Sequence, residues 1–314
     1  MTTAEGAAEA RLAEAGGSPH VVTIGNFDGV HRGHQYLIQQ VVDDARRREV
    51  RSLAITFEPH PAAVLRPGHL PERLATAAEK LELLRATGLD SVVVLEFTRE
   101  FASLEPDTFL ELVLSTLHPV AVFVGEGFRF GHGRAGDGDT IRRFGERHGF
   151  DTTVITRLRD DDQMISSSNI RAALKAGDVA SAAEWLGRRY RLLGTVEHGA
   201  ARGKSLGYPT ANLTVDPLVC VPGDGIYAAL AHLPDGQMTA RQALVYIGTR
   251  PTFDNGDRLV EANILDFNGD LYTRDLEVEF VAFIRGDQVF ESADALSAQM
   301  TLDERRAREI LATR

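Results

Sequence analysis

The patterning of apolar residues changes once along this 314-residue chain, near residue 186, and that change constrains the fold more than any other feature. Before it, short apolar runs at 21–24, 52–57, 91–97 and 120–125 alternate with helical patterns at 35–48, 76–87, 106–117 and 139–148. An extended run at 152–156 and a helical one at 170–176 complete this half. Strands alternating with helices of that length pair in parallel, and the crossover helices cover both faces of the sheet. Beyond the change the runs are short, β-branched and broken by Gly, Pro, Asp or Asn, at 190–196, 225–232, 242–247, 259–267 and 276–284. Strands spaced in this way close into a small antiparallel barrel or sandwich. A charged amphipathic helix is predicted over 292–313, packed on that barrel. The expected fold is therefore α/β plus all-β, with a parallel-sheet domain over 19–186 and a β-barrel domain with a terminal helix over 187–314. Residues 1–18, rich in Ala, Glu and Gly, read as a disordered lead.

Composition narrows the partners. The single cysteine, Cys220, allows no intrachain disulfide and no thiolate zinc site, and it fits a reducing, cytoplasmic compartment. No apolar run approaches the 18 or so residues of a membrane helix, and the N-terminal stretch lacks the basic start and apolar core of a signal peptide. A net charge of −11 and a pI near 5.4 argue against a bulk nucleic-acid coat or an anionic membrane surface as partner. Small anionic substrates remain, because phosphate sites are built locally from backbone N–H groups and a few cations.

The first chemical constellation follows the first strand directly. Residues 21–24 run into Gly25-Asn26-Phe27-Asp28-Gly29-Val30-His31-Arg32-Gly33-His34, and a helix follows. Glycines 25, 29 and 33 permit tight turns and close approach of a ligand, and the helix N-terminus offers unpaired N–H groups. His31 and His34 lie about one turn apart, so both imidazoles reach the same small volume, where a donor binds phosphate oxygens and stabilises growing charge. The alternative is a Gly-rich turn with merely solvated histidines. It is not a Walker A loop: Gly203-Lys204-Ser205 occurs later, but His198 stands where that loop needs its first glycine. Much further on comes Ile165-Ser166-Ser167-Ser168-Asn169-Ile170-Arg171. Three hydroxyls and an arginine beside a helix start form either a plain cap or a clamp for a triphosphate.

The second constellation lies in the β half. Gly199, Gly203 and Gly207 make a pliable loop that exits through Tyr208-Pro209-Thr210-Ala211-Asn212. In an extended segment Thr210 and Asn212 face the same side, and a hydroxyl with an amide oxygen suits Mg²⁺ beside phosphate oxygens. The alternative is a hairpin turn and an ordinary strand. Glu261 and Asp266 are five residues apart, hence on opposite faces of a regular strand.

Taken together, these motifs resemble the bacterial bifunctional riboflavin kinase/FAD synthetase family over essentially the whole chain after about residue 20. Phe57-Glu58-Pro59-His60-Pro61 and Phe128-Arg129-Phe130-Gly131 fall in the family's order, as do Gly225-Ile226-Tyr227-Ala228, Gly248-Thr249-Arg250-Pro251-Thr252-Phe253 and Val260-Glu261-Ala262-Asn263. The resemblance implies a Rossmann-like nucleotidyltransferase domain that transfers AMP from ATP to FMN, releasing pyrophosphate, and a kinase barrel that phosphorylates riboflavin with ATP. It implies catalytic roles for His31, His34, Arg171 and Glu261. ATP contacts fall to Gly25, Asn26, Phe27, Asp28, Gly29, Gly33, Ser166, Ser167, Ser168, Gly199, Gly203, Gly207 and Thr210. Phe57, His60, Pro61, Phe128 and Phe130 would wall the flavin, and Thr210 with Asn212 would hold Mg²⁺. Glu261 is the candidate base for the riboflavin hydroxyl, and Asp266 is structural.

Three departures stand out: Gly127 where the family carries Asn or Asp, Asn263 where it often carries His, and Thr273 where Gly is common. Other readings stay open, namely a kinase with a decayed first module, a flavin-binding sensor without turnover, and a nucleotidyltransferase for another phosphate substrate. The sequence does not decide between a monomer and a homo-oligomer.

Overall fold

A computed structural model of the chain describes residues 4–66, 68, 70–161, 163–198, 208–249 and 258–312. Its contacts divide into two compact units, Met1–Ser167 and Ser168–Arg314.

The first unit runs α1 (Ala4–Ala15), β1 (His20–Ile24), α2 (Arg32–Arg47), β2 (Arg51–Glu58), α3 (Pro61–Leu65), α4 (Ala77–Arg85) and β3 (Ser91–Glu96). It continues with α5 (Arg99–Ala102), α6 (Pro106–Leu114), β4 (Pro119–Gly125), α7 (Gly138–His148), β5 (Asp151–Ile155) and a small ribbon of β6 (Arg159–Asp160) and β7 (Gln163–Met164). The five-stranded sheet has the order β3-β2-β1-β4-β5, parallel throughout. Strand period sorts the side chains: Val22, Ile24, Leu53, Ile55, Val122 and Val124 enter one core, while Val21, Ala54, Ala121 and Phe123 enter the other. Helix α2 covers the second face with Leu37, Ile38, Val41, Val42 and Ala45, spaced as one stripe of a 3.6-residue period. Burial on both faces is what a parallel sheet requires.

The N-terminal lead corrects the expectation of disorder. Helix α1 seats Ala8 and Leu12 in the first core, with Leu12 fully buried. A lone leucine among alanines and glutamates carries too little periodicity to announce a helix, so tertiary burial decides it.

Helix α8 (Ser167–Lys175) begins at the boundary, and α9 (Val179–Leu186) follows. Then come β8 (Arg191–Glu197), β9 (Ala211–Val215), β10 (Gly225–His232), β11 (Arg241–Thr249), β12 (Arg258–Ile264), β13 (Asp275–Arg285) and α10 (Ala293–Ala312). The strands form a closed antiparallel barrel of order β10-β11-β12-β9-β8-β13, completed by the pairing of β10 with β13. On β10, Ala228 with its partly buried neighbours Ile226 and Leu230 joins Ala307 and Leu311 of α10, so the terminal helix covers the outside of the barrel. By contacts the division falls at 167/168 rather than at the expected 186/187. The reason is that α8 and α9 pack on the barrel: the Gly223 N–H donates to Leu174 O at 2.8 Å and Lys175 Nζ donates to Val221 O at 3.1 Å. Among the described residues, no helix is long and apolar enough to cross a membrane.

Candidate functional site

In the first unit, β1 ends in a turn bent by backbone conformations that few residues accept. Phe27 has φ 51°, Gly29 has φ 72° and Val30 has φ 41°. A β-branched residue in the left-handed region is strained. Val30 is held there because its N–H donates to Phe27 O at 3.0 Å and its carbonyl accepts from Gln35 Nε2 at 2.7 Å. The turn delivers His31 as the N-cap of α2, where its Nδ1 accepts the His34 N–H at 3.3 Å. An imidazole that accepts at Nδ1 carries its proton on Nε2.

The structure brings His31 and His34 together: their rings stack with centroids 3.6 Å apart and planes 16° from parallel. Burial, and secondarily the neighbouring His31, hold the His34 pKa well below its ordinary 6.5. Among the described residues the His34 Nδ1 is buried without a hydrogen-bond partner. A Cβ on Gly33 would sit 3.2 Å from the His31 ring, a tight contact.

The distant serine motif meets this turn. Ser167 donates its hydroxyl to Asp28 O at 3.1 Å, and a Cβ on Gly33 would lie 3.7 Å from Ile165 O. Ser166 and Ser167 belong to the first unit. Ser168 and Arg171 belong to the second, where Arg171 Nη2 donates to Ser168 Oγ at 3.3 Å. Asp28 is buried, and its carboxylate accepts the Leu74 N–H at 2.9 Å, which anchors the segment before α4 to the turn. Asn26 accepts the Thr56 hydroxyl at its carbonyl, and the Gly25 N–H donates to Ile55 O.

The aromatic candidates divide. Phe57 and Phe130 are core residues, not open walls, because Phe57 shares the strand face of Leu53 and Ile55 and Phe130 packs on Phe109. They belong to a row of rings that runs Phe57, Phe97, Phe101, Phe109, Phe130, Phe128 at centroid spacings of 5.1–5.9 Å. Phe128 ends the row only partly buried. His60 caps α3 through its Nδ1, which accepts the Ala62 N–H at 3.1 Å, and Pro61 opens that helix. Motif reading passed over Lys80, a buried cation that reaches Glu58 at 2.5 Å and donates to Phe57 O at 3.0 Å. Its only signal is a lysine on a helix whose apolar face is otherwise intact.

The barrel gathers the second constellation. Strand β9 pairs with β12 so that Asn212 lies directly opposite Glu261. Opposed residues share a face of the sheet, and Thr210, two residues before Asn212, falls on the same side. Glu261 is buried at 9% exposure. Thr210 lines two adjoining cavities. One, of about 370 Å³, is bordered by Glu261, Tyr246, Leu244, Phe290 and Met300. The other, of about 610 Å³, is bordered by Phe267, Asn268, Leu271 and Tyr272. Tyr272 stacks on His198 at 3.7 Å, a pair that motif reading missed. The hard, oxygen-bearing side chains of Thr210, Asn212 and Glu261 on one face fit Mg²⁺ beside a nucleotide. Among the described residues, no group of three or more His, Cys, Asp or Glu stands ready to hold a metal alone.

Asn263 has a local task, since its Nδ2 donates to Pro209 O at 2.7 Å, next to Thr210. Thr273 occupies the left-handed region at φ 64°, the conformation for which glycine is favoured. The Asp266 carboxylate takes two bonds from Arg308 at 2.7 and 2.9 Å. Gly199, Gly203, Gly207 and the Arg250-Pro251-Thr252-Phe253 motif lie outside the described residues.

A parallel sheet with a histidine-capped, glycine-rich turn, joined in one chain to a barrel that sets a carboxylate across from an amide, is the arrangement expected of a nucleotidyltransferase fused to a kinase. The profile of the FAD synthetase family matches residues 14–169, and that of the riboflavin kinase family matches residues 186–311. The bifunctional riboflavin kinase/FMN adenylyltransferase of Escherichia coli K12 is 38% identical over 290 residues, covering 92% of each chain. That of Pseudomonas fluorescens is 36% identical over 294 residues, covering 93% of each. A solved structure from Streptococcus pneumoniae, described as a macrolide-efflux protein, superposes with a TM-score of 0.84 at 29% identity, covering 94% of this chain and 96% of its own. The chain belongs to the bifunctional riboflavin kinase/FMN adenylyltransferase family, with the FAD synthetase domain N-terminal and the riboflavin kinase domain C-terminal.

Proposed function

We propose that each reaction is carried by a small set of side chains. In the first unit an ionised phosphate oxygen of FMN attacks the α-phosphorus of ATP. The bond to the β,γ-diphosphate breaks, and pyrophosphate leaves. Such a nucleophile needs no protein base; it needs alignment and charge stabilisation. His31 supplies its Nε2–H, and His34, kept neutral by burial, lies against it. Gly25, Asn26, Phe27, Asp28, Gly29 and Gly33 shape the turn around the phosphates. Ser166 and Ser167 receive the departing pyrophosphate. His60, Pro61 and Phe128 border the flavin.

In the barrel the riboflavin 5′-hydroxyl attacks the γ-phosphorus, ADP leaves, and the hydroxyl proton passes to the Glu261 carboxylate. The cavity of about 370 Å³ beside Glu261 takes the isoalloxazine, and its neighbour past Thr210 takes the nucleotide. Thr210 and Asn212 would hold Mg²⁺ beside the nucleotide, and a cation there would supply neutralisation of charge for phosphoryl transfer. Catalysis in a cytoplasmic compartment agrees with the buried free thiol of Cys220.

The register that sets Asn212 opposite Glu261 supports this reading most directly. Incubation with riboflavin, ATP and Mg²⁺, followed by chromatography, tests it: FMN forms first and FAD second, and FMN supplied directly yields FAD. Absence of both products refutes it.

A further inference from the structure

Strands β4 and β5 run on together past their paired ends, Gly125 and Ile155. The Glu126 N–H donates to Ile155 O at 2.7 Å, and the Phe128 N–H donates to Gly125 O at 3.0 Å, which closes a turn over the carboxyl end of β4. The sheet order reverses between β1 and β4, and ligands of open α/β sheets bind at the carboxyl ends where that happens. Around Gly125 a side chain would meet nothing within 4 Å, so the crevice is open there.

Arg157 folds back over this turn. Its Nε donates to Glu126 O at 3.0 Å, and its backbone N–H donates to Glu126 Oε2 at 3.3 Å. Gly127 lies beneath the guanidinium. Its φ of +79° already favours glycine, and a Cβ there would stand 2.3 Å from Arg157 Nη2. Any side chain at 127 therefore displaces the guanidinium, so the absence of one and the presence of the other form a pair.

The charge of Arg157 is poorly matched by its surroundings. Among the described residues Nη1 donates only to the Met164 thioether, at 3.1 Å, and sulfur there is a weak acceptor. Among the described residues no carboxylate pairs with the guanidinium, and the Glu126 carboxylate meets the backbone N–H instead. Arg129, nearby in sequence, is by contrast paired with Asp137 at 2.7 Å. An exposed, unneutralised fork of N–H donors at the mouth of a phosphate-handling crevice suits bidentate capture of phosphate oxygens.

We propose that Arg157 is an anion-binding residue of the adenylyltransferase crevice, admitted by the bare backbone of Gly127, and that it takes a phosphate oxygen of FMN or of ATP. The inference rests on the reading of the first unit given above. The test uses the full chain with Arg157→Ala, Arg157→Lys, Gly127→Asn and the Gly127→Asn/Arg157→Ala pair. The KM for FMN at saturating ATP, and for ATP at saturating FMN, is measured in FAD formation. Titration of flavin fluorescence and calorimetry with ATP give the two binding constants without turnover.

Arg157→Ala raises the constant of one of the two phosphate substrates by roughly tenfold to a hundredfold, the range for a lost charged hydrogen bond, and that arm identifies which substrate it holds. Arg157→Lys keeps the charge but loses the fork and falls between wild type and Arg157→Ala. Gly127→Asn weakens the same substrate, and the double variant is no worse than the single ones, because both remove one contact. Riboflavin phosphorylation stays at the wild-type rate in all four. If Arg157→Ala leaves both constants within about twofold of wild type, or if the losses of the double variant multiply, the proposal is overturned. A wild-type chain that makes no FAD from FMN overturns the reading of the first unit instead, and the binding constants still decide the role of Arg157.

Discussion

Arg285, at the end of β13, grips Asp303 of α10 through two nitrogens, with Nε and Nη2 at 2.7–3.1 Å from the carboxylate oxygens. The pair is largely buried, and Gln299 Nε2 adds a bond to Asp303 Oδ1 at 2.9 Å. Arg285 also donates to Gly286 O at 2.9 Å and lies 5.7 Å from the Phe290 ring centroid. One cation thus ties together a barrel strand, the segment that follows it and the terminal helix, all around the cavity beside Glu261. Asp303→Asn is expected to destabilise the barrel by about 3–5 kcal/mol, as loss of one partner from a buried pair does, and to raise the KM for riboflavin. Denaturant unfolding and steady-state kinetics measure the two effects. FAD formation from supplied FMN stays near wild type.

The two chemistries separate by mutation. Replacement of His31 and His34 by Ala stops FAD formation and leaves FMN formation intact, at a cost of about 2.7–4 kcal/mol in barrier for each well-aimed donor lost. Glu261→Gln keeps the shape of the side chain but removes the proton acceptor. It slows riboflavin phosphorylation by roughly 10²- to 10⁴-fold while FMN is still adenylylated. If either change abolished both reactions in a folded protein, the assignment would be wrong.

Stability carries a signature of His34. Its folded pKa is depressed by burial, so below the ordinary value of 6.5 the unfolded chain binds a proton that the native state refuses. This contribution is therefore lost as pH falls below 6.5, with a slope of at most about 1.4 kcal/mol per pH unit for one proton. Thermal melts between roughly pH 7 and 5 record the slope, and His34→Gln flattens it. An unchanged slope in that variant sinks the idea.

Helix α1 makes a simpler claim. Leu12 is fully buried in the first core, and Leu12→Ala is expected to destabilise that unit by about 2–5 kcal/mol. A stability equal to wild type in urea would show that the helix does not dock.

Much of this molecule was legible in one dimension. The switch from helix-length to strand-length periodicity near residue 186 dictated a parallel sheet and then a barrel, because hydrophobic period is a local property that burial must respect. Turn chemistry was equally local: the Gly-rich stretch before α2 and the pair of histidines one turn apart were visible as residue types at fixed spacing. The places where such reading failed were set by contacts distant in sequence. Leu12 has a helix because β3 and α6 offer it a core. Helices α8 and α9 went with the barrel because Leu174 and Lys175 bond to its loops. Phe57 and Phe130 turned inward because the row of rings from Phe97 to Phe109 was there to receive them. Asn212 met Glu261 through a strand register that no local pattern encodes. Local free energies of turn and period act on neighbours in the chain, whereas burial, ion pairing and register act on whatever folding brings near, and those partners exist only in three dimensions.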